Sequence, residues 1–119
     1  MHEYSLMQAL MDKTIEIAAE HGHPKVERIK LQIGELQHIV PDILEFAFEV
    51  MAKGTIAETA DLVWDVVPVK IKCQQCHTEF EPHDVFWVCP QCESSGGEIK
   101  QGDEFILESI TFVDPAGEL

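Results

Sequence analysis

Four cysteines and one histidine are the residues of this chain whose types and spacing point most directly to chemistry. The cysteines fall in "CQQCHTEFEPHDVFWVCPQC", a C-x2-C-x12-C-x2-C pattern made by Cys73, Cys76, Cys89 and Cys92. Each C-x-x-C pair sets two sulfurs on one tight knuckle. Two knuckles joined by a short hairpin can close a tetrahedral thiolate cage around one ion. Zinc is the expected occupant. Four thiolates fill its shell and leave the site with negative charge, so its role is structural rather than Lewis-acidic. Iron in a similar cage, giving an electron carrier, is the alternative metal reading.

The histidine is His2, in the opening "MHE". Methionine excision favours a small second residue, so Met1 is expected to stay, with a free α-amine. That amine and the deprotonated amide of His2 form a five-membered ring on a metal. The His2 imidazole closes a six-membered ring through Nδ1. The amide or carboxylate of Glu3, or a side chain from elsewhere, can fill the fourth corner. Planar nitrogen donors of this kind suit Ni(II) or Cu(II), not zinc. The blander alternative is a solvated terminus that binds nothing. His21 and His23 flank the end of a helix, where a cationic imidazole meets the negative dipole end. His77 and His83 read as exposed hairpin residues, with exchange against a cysteine thiolate as the sharper alternative.

The elements that must carry these residues follow from periodicity. Residues 4–21 read as a helix, with Leu6, Ala9, Leu10, Thr14, Ile17 and Ala18 on its apolar face and Gly22 and Pro24 stopping it. "VERIKLQIGEL" alternates Ile29, Leu31 and Ile33 with Arg28, Lys30 and Gln32, the mark of a strand with one dry face. "PDILEFAFEVMAK" is a second helix, started by Pro41 and stopped by Gly54. Its apolar residues lie on most sides, so it is expected to be largely covered, by the sheet, the first helix or another chain. "ADLVWDVVPVKIK" and "DEFILESITFV" read as two more strands. Residues 71–103 hold all four cysteines and few large apolar residues. The fold class expected is α+β: two helices packed on a three-stranded sheet, with a zinc-ribbon-like insert. The expected domains are 1–70, completed by strand 104–114, and a zinc-binding insert at 71–103. A flexible tail is expected at 115–119.

Composition narrows the function. The chain has 119 residues, with 22 acids against 8 bases and a formal net charge of -14. Such a surface repels phosphate backbones, so nucleic acid is not an expected partner. There is no basic leader and no apolar run of about 20 residues, so neither secretion nor a membrane span is expected. A cytoplasmic location is, and there cysteines serve as metal ligands more often than as disulfides. No nucleophile with a base and no phosphate loop stands out, since Gly96 and Gly97 lack the lysine of a P-loop. The chain does not read as an enzyme.

Taken together, "MHEYSL" opening a helix, "IGEL" before "PDILEFAFE", the paired C-x-x-C insert and "QGDEFILESI" resemble the HypA/HybF nickel metallochaperones of [NiFe]-hydrogenase maturation. The resemblance spans essentially the whole chain. It implies a nickel site at Met1, His2 and Glu3, with Ni(II) as cargo, and a structural zinc on Cys73, Cys76, Cys89 and Cys92. It also implies delivery of nickel to the hydrogenase large subunit precursor with an accessory GTPase; some members also serve urease. Some members carry a histidine after each C-x-x-C; here His77 follows the first pair and Glu93 the second. The apolar second helix permits a homodimer. A zinc-ribbon adaptor without metal delivery is the rival reading.

Overall fold

The structure is a computed structural model that describes residues 2–83 and 85–113. Met1 and the tail expected at 115–119 lie outside the described residues. Helix α1 spans His2–Ala19, starting two residues earlier than periodicity suggests. Its buried stripe is Glu3, Met7, Leu10, Met11, Thr14 and Ala18. The spacing is helical, but the face is rotated from the expected one: Ala9 is exposed, and Leu6 and Ile17 are half-buried. Two unbranched methionines, which fill irregular gaps, take the central positions instead. Thr14 is fully buried, and its hydroxyl donates to the Leu10 carbonyl at 2.8 Å. The helix stops where Gly22 and His23 turn to positive φ and the His23 N–H reaches back to the Ala18 carbonyl at 2.9 Å.

Strand β1 covers Val26–Gly34, with Val26, Ile29, Leu31 and Ile33 buried. A single 3-10 turn, Glu35–Gln37, follows. Helix α2 runs Pro41–Ala52 with proline at its first turn. It buries Leu44, Ala47, Phe48 and Ala52 and packs against α1. Its other side is bare: Phe46 is 65% and Val50 47% exposed. Of the covers expected for this helix, α1 is found on one side.

The apolar stretch 60–72 is not one strand. It divides into β2, Asp61–Val67, and β3, Lys70–Cys73, which lie in different sheets. Pro68 stands at the break. It has no N–H to give to a ladder, so the strand that enters it cannot continue in register. Three short strands complete the set: β4 (Glu79–Phe80), β5 (Gly97–Gln101) and β6 (Phe105–Phe112). One sheet has the order β2-β1-β6 and the other β4-β3-β5. In the second, β3 pairs antiparallel with both neighbours, Ile71 facing Phe80 on one side and Ile99 on the other. The α+β class with two helices and a three-stranded sheet holds, and the cysteine insert has a three-stranded sheet of its own.

The chain forms two compact units. One takes in the chain through Leu31, then Ile39–Trp64, and the chain from Ile106 onward. The other holds Gln32–His38 and Asp65–Phe105. In this second unit the 3-10 turn is tied down by three bonds: Leu36 N–H to the Gly102 carbonyl at 2.7 Å, Gln37 Nε2 to the Asp103 carbonyl at 2.6 Å, and Val69 N–H to Glu35 Oε1 at 3.2 Å. Its buried cluster is Val69, Ile71, Cys73, Phe80 and Cys89, with Leu36 and Trp87 packed against it. Two of those five buried members are cysteines, so part of this core is the cysteine cluster itself.

Candidate metal centres

The four cysteine sulfurs lie within 4.8 Å of one another. Cys73 Sγ is 3.5 Å from Cys92 Sγ, and Cys76 Sγ is 3.6 Å from Cys89 Sγ. A tetrahedral zinc with bonds of about 2.3 Å sets its sulfurs about 3.8 Å apart, so the donor set fits the ion. None of the sulfurs is in a disulfide.

The two knuckles are built alike. In the first, the His77 N–H donates to the Cys73 carbonyl at 3.1 Å and the Cys73 N–H to the Thr78 carbonyl at 2.9 Å. In the second, the Glu93 N–H donates to the Cys89 carbonyl at 2.9 Å and the Cys89 N–H to the Ser94 carbonyl at 2.8 Å. Gln75 and Gln91 each point a backbone N–H at the first sulfur of their pair, both at 3.4 Å. Such bonds stabilise a thiolate over a thiol. His77 and Glu93 both take φ of +64°. They hold equivalent turn positions, which is why histidine and glutamate can alternate there: the backbone, not the side chain, closes the knuckle. His77 and His83 are exposed and stand outside the sulfur cluster.

Two hydroxyls extend this symmetry. Thr78 and Ser94 each follow the second cysteine of a pair by two positions. Thr78 Oγ1 lies 3.2 Å from Cys76 Sγ. Hydrogen bonds from the Thr78 side chain and then its backbone lower the Cys76 pKa. The Ser94 side chain and backbone, aided by Cys73, bring Cys92 down to about 6. Burial pushes Cys89 up. The exposed sulfur of each knuckle thus ionises more readily than an ordinary thiol. Sequence reading passed over both hydroxyls, although the repeat C-x-x-C-x-[S/T] was there in "CQQCHT" and "CPQCES".

At the other end of the chain, His2 is the first residue of α1 and is exposed. Glu3 turns the opposite way and is 7% exposed. Its Oε2 accepts the Val40 N–H at 2.9 Å, at the start of α2. Val40 supplies no side-chain cap to that helix, so a carboxylate from α1 takes the place beside its positive dipole end. The Val40 N–H bond is the first cause holding the Glu3 carboxyl below its ordinary range. His2 and Glu3, adjacent in sequence, therefore do different things: one imidazole faces out and one carboxylate is engaged within the fold. His21 sits with its ring 5.5 Å from that of Phe112, and His23 is part of the helix stop.

Comparison with known families decides what this arrangement belongs to. A family model described as "Hydrogenase/urease nickel incorporation, metallochaperone, hypA" matches residues 1–112. The chain belongs to the HypA family. The hydrogenase maturation factor HypA of Desulfitobacterium hafniense (strain DSM 10664 / DCB-2) is 40% identical over 110 residues, covering 92% of this chain and 96% of that one. The Aquifex aeolicus HypA is 34% identical, with the same coverage of both chains. The solution structure of the nickel metallochaperone HypA from Helicobacter pylori matches at a TM-score of 0.69 and 30% identity, over 95% of this chain and 98% of that one. This HypA-family chain thus has the fold of a nickel metallochaperone of hydrogenase maturation. Among the described residues, no helix is long and apolar enough to cross a membrane.

Proposed function

We propose that this chain binds one Ni(II) at its N-terminus and passes it to the [NiFe]-hydrogenase large subunit precursor during maturation. The ligands are the Met1 α-amine, the His2 amide and imidazole, and the Glu3 backbone. The family match across residues 1–112 carries the reading, and the outward-facing His2 supports it. Delivery needs a site that binds and then releases. A chelate at a chain end is open to an acceptor's thiolates, and its nitrogens shed protons to bind, so acid or a competing ligand strips the ion. The chain works without catalysing a reaction, in the cytoplasm, with an accessory GTPase as the partner that supplies energy. The cysteine cage holds zinc on Cys73, Cys76, Cys89 and Cys92 as a structural ion, which organises the unit formed by Gln32–His38 and Asp65–Phe105. When bound, zinc would cross-link the two knuckles, while Thr78 and Ser94 favour the thiolate form of Cys76 and Cys92.

Calorimetric titration of the zinc-loaded protein with nickel, its Met1 amine free, is the test. One nickel per chain in addition to zinc is expected, with His2→Ala binding at least about tenfold more weakly, or 1.4 kcal/mol. Zinc without any nickel site would mean a zinc-ribbon adaptor instead.

A further inference from the structure

The outer side of α2 has two halves that differ in kind. Ile43, Phe46 and Val50 follow one another at helical spacing, and Phe46 and Val50 are exposed. Beside them run Asp42, Glu45 and Glu49, all exposed. Glu45 and Glu49 continue into a groove of about 470 Å³ whose other wall brings Glu58 and Asp61, with Lys53 as its lone base. Among the described residues, Asp42, Glu45, Glu49 and Asp61 take part in no ion pair. An apolar ridge thus lies along an acidic trough, and among the described residues Phe46 and Val50 on the ridge and Glu45 and Glu49 beside it are exposed.

We propose that this face of α2 is a docking surface for a basic amphipathic helix of a partner protein. The apolar side of such a helix would cover Phe46 and Val50, and its lysines and arginines would lie over Glu45, Glu49, Glu58 and Asp61. Helix-on-helix recognition of this type is read through anchors at three- and four-residue steps, and Phe46 is the aromatic anchor. Charge decides against a second copy of this chain. A two-fold contact sets each patch against itself, so the same acids would face one another. With 8 bases against 22 acids, the chain has little to neutralise them. A basic partner gains from the very charges that repel a copy.

The probe is a synthetic helical peptide of about 16 residues, long enough to lie along α2, with leucine on one face and lysine on the other. A control has the same composition, scrambled so that no apolar face forms. Amide shifts of the zinc-loaded protein are followed as each peptide is added, and sedimentation gives the oligomeric state. The amphipathic peptide is expected to shift α2 and residues 57–62 and to bind at least about fivefold more tightly than the control. Phe46→Ser with Val50→Ser should weaken it about tenfold or more. Glu45→Gln with Glu49→Gln should weaken it about threefold and flatten its salt dependence. Both side chains of the first variant are exposed, and unchanged circular dichroism and zinc content would confirm that it folds. Shifts scattered over the acidic surface, equal binding of the scrambled peptide, or indifference to the serine variant would overturn the proposal. So would dimerisation through α2, which would make a second copy the occupant.

Discussion

At the scale of residues, the protein separates ligands from the groups that prepare them. Ser94 donates to Cys92 and is the leading cause of its pKa falling to about 6. Removing that hydroxyl raises the thiol's pKa, and protons then compete with metal sooner. Ser94→Ala should therefore release zinc at a higher pH than the wild type and bind it about tenfold more weakly, as a chelating dye would report across a pH series. Release at the same pH would mean that the backbone bonds alone hold the thiolate. Glu3 is the second case. Its carboxyl is lowered from an ordinary 4.5, chiefly by the Val40 N–H, so its charge stabilises the fold above that value. That contribution fades as pH falls through the lowered pKa. Glu3→Gln should be less stable than the wild type at pH 7, with the gap closing on acidification. Its nickel affinity should fall less than that of His2→Ala. An equal loss would make the carboxylate a principal ligand.

At the scale of elements, glycine and proline fix the cysteine-bearing unit. Gly102 takes φ of +112°, and a Cβ there would stand 2.6 Å from Val69 Cα. Gly102→Ala should cost about 1–3 kcal/mol, read by denaturant unfolding of the zinc-loaded protein; an unchanged midpoint would show that the turn yields freely. A Cβ on Gly34, at the end of β1, would meet the Gly102 carbonyl. Helix α1 and the alternating strand β1 were legible in the sequence because a single face of each is buried, and burial imposes the period; α2 was legible from its apolar run between Pro41 and Gly54, which did not tell its buried side from its exposed one. The cysteine cage was legible because ligand spacing is local. The division of 60–72 was less so: β-branched residues run on both sides of Pro68, and composition hides a change of sheet that only the missing N–H betrays. The face of α1 was misplaced because Met7 and Met11 weigh little in an apolar pattern, although both are buried. Glu3's inward turn was hidden too, because its partner, the Val40 amide, lies 37 positions away and carries no side-chain signature.

At the scale of the whole molecule, the proposed function assigns two metals two purposes. The cysteine cluster supplies two of the five residues of its unit's buried cluster, so that unit should depend on metal while the α1–α2 pair should not. Cys73→Ala should lose zinc and the structure of the insert yet keep helical circular dichroism and a cooperative transition. Loss of all cooperative unfolding would contradict separate modules. The proposed nickel site makes the opposite demand, since it is defined by the Met1 amine. A Gly–Ser pair placed ahead of Met1 turns its amine into an amide and moves the free amine two residues away, leaving His2, Glu3 and the cysteines in place. The measurement that bears most directly on the central claim is nickel calorimetry of the native and extended proteins, zinc-loaded and side by side. A fall in affinity of at least about tenfold, or 1.4 kcal/mol, with zinc content and fold unchanged, is the predicted result; equal affinities would contradict the terminal chelate and send nickel to other histidines such as His21 and His23.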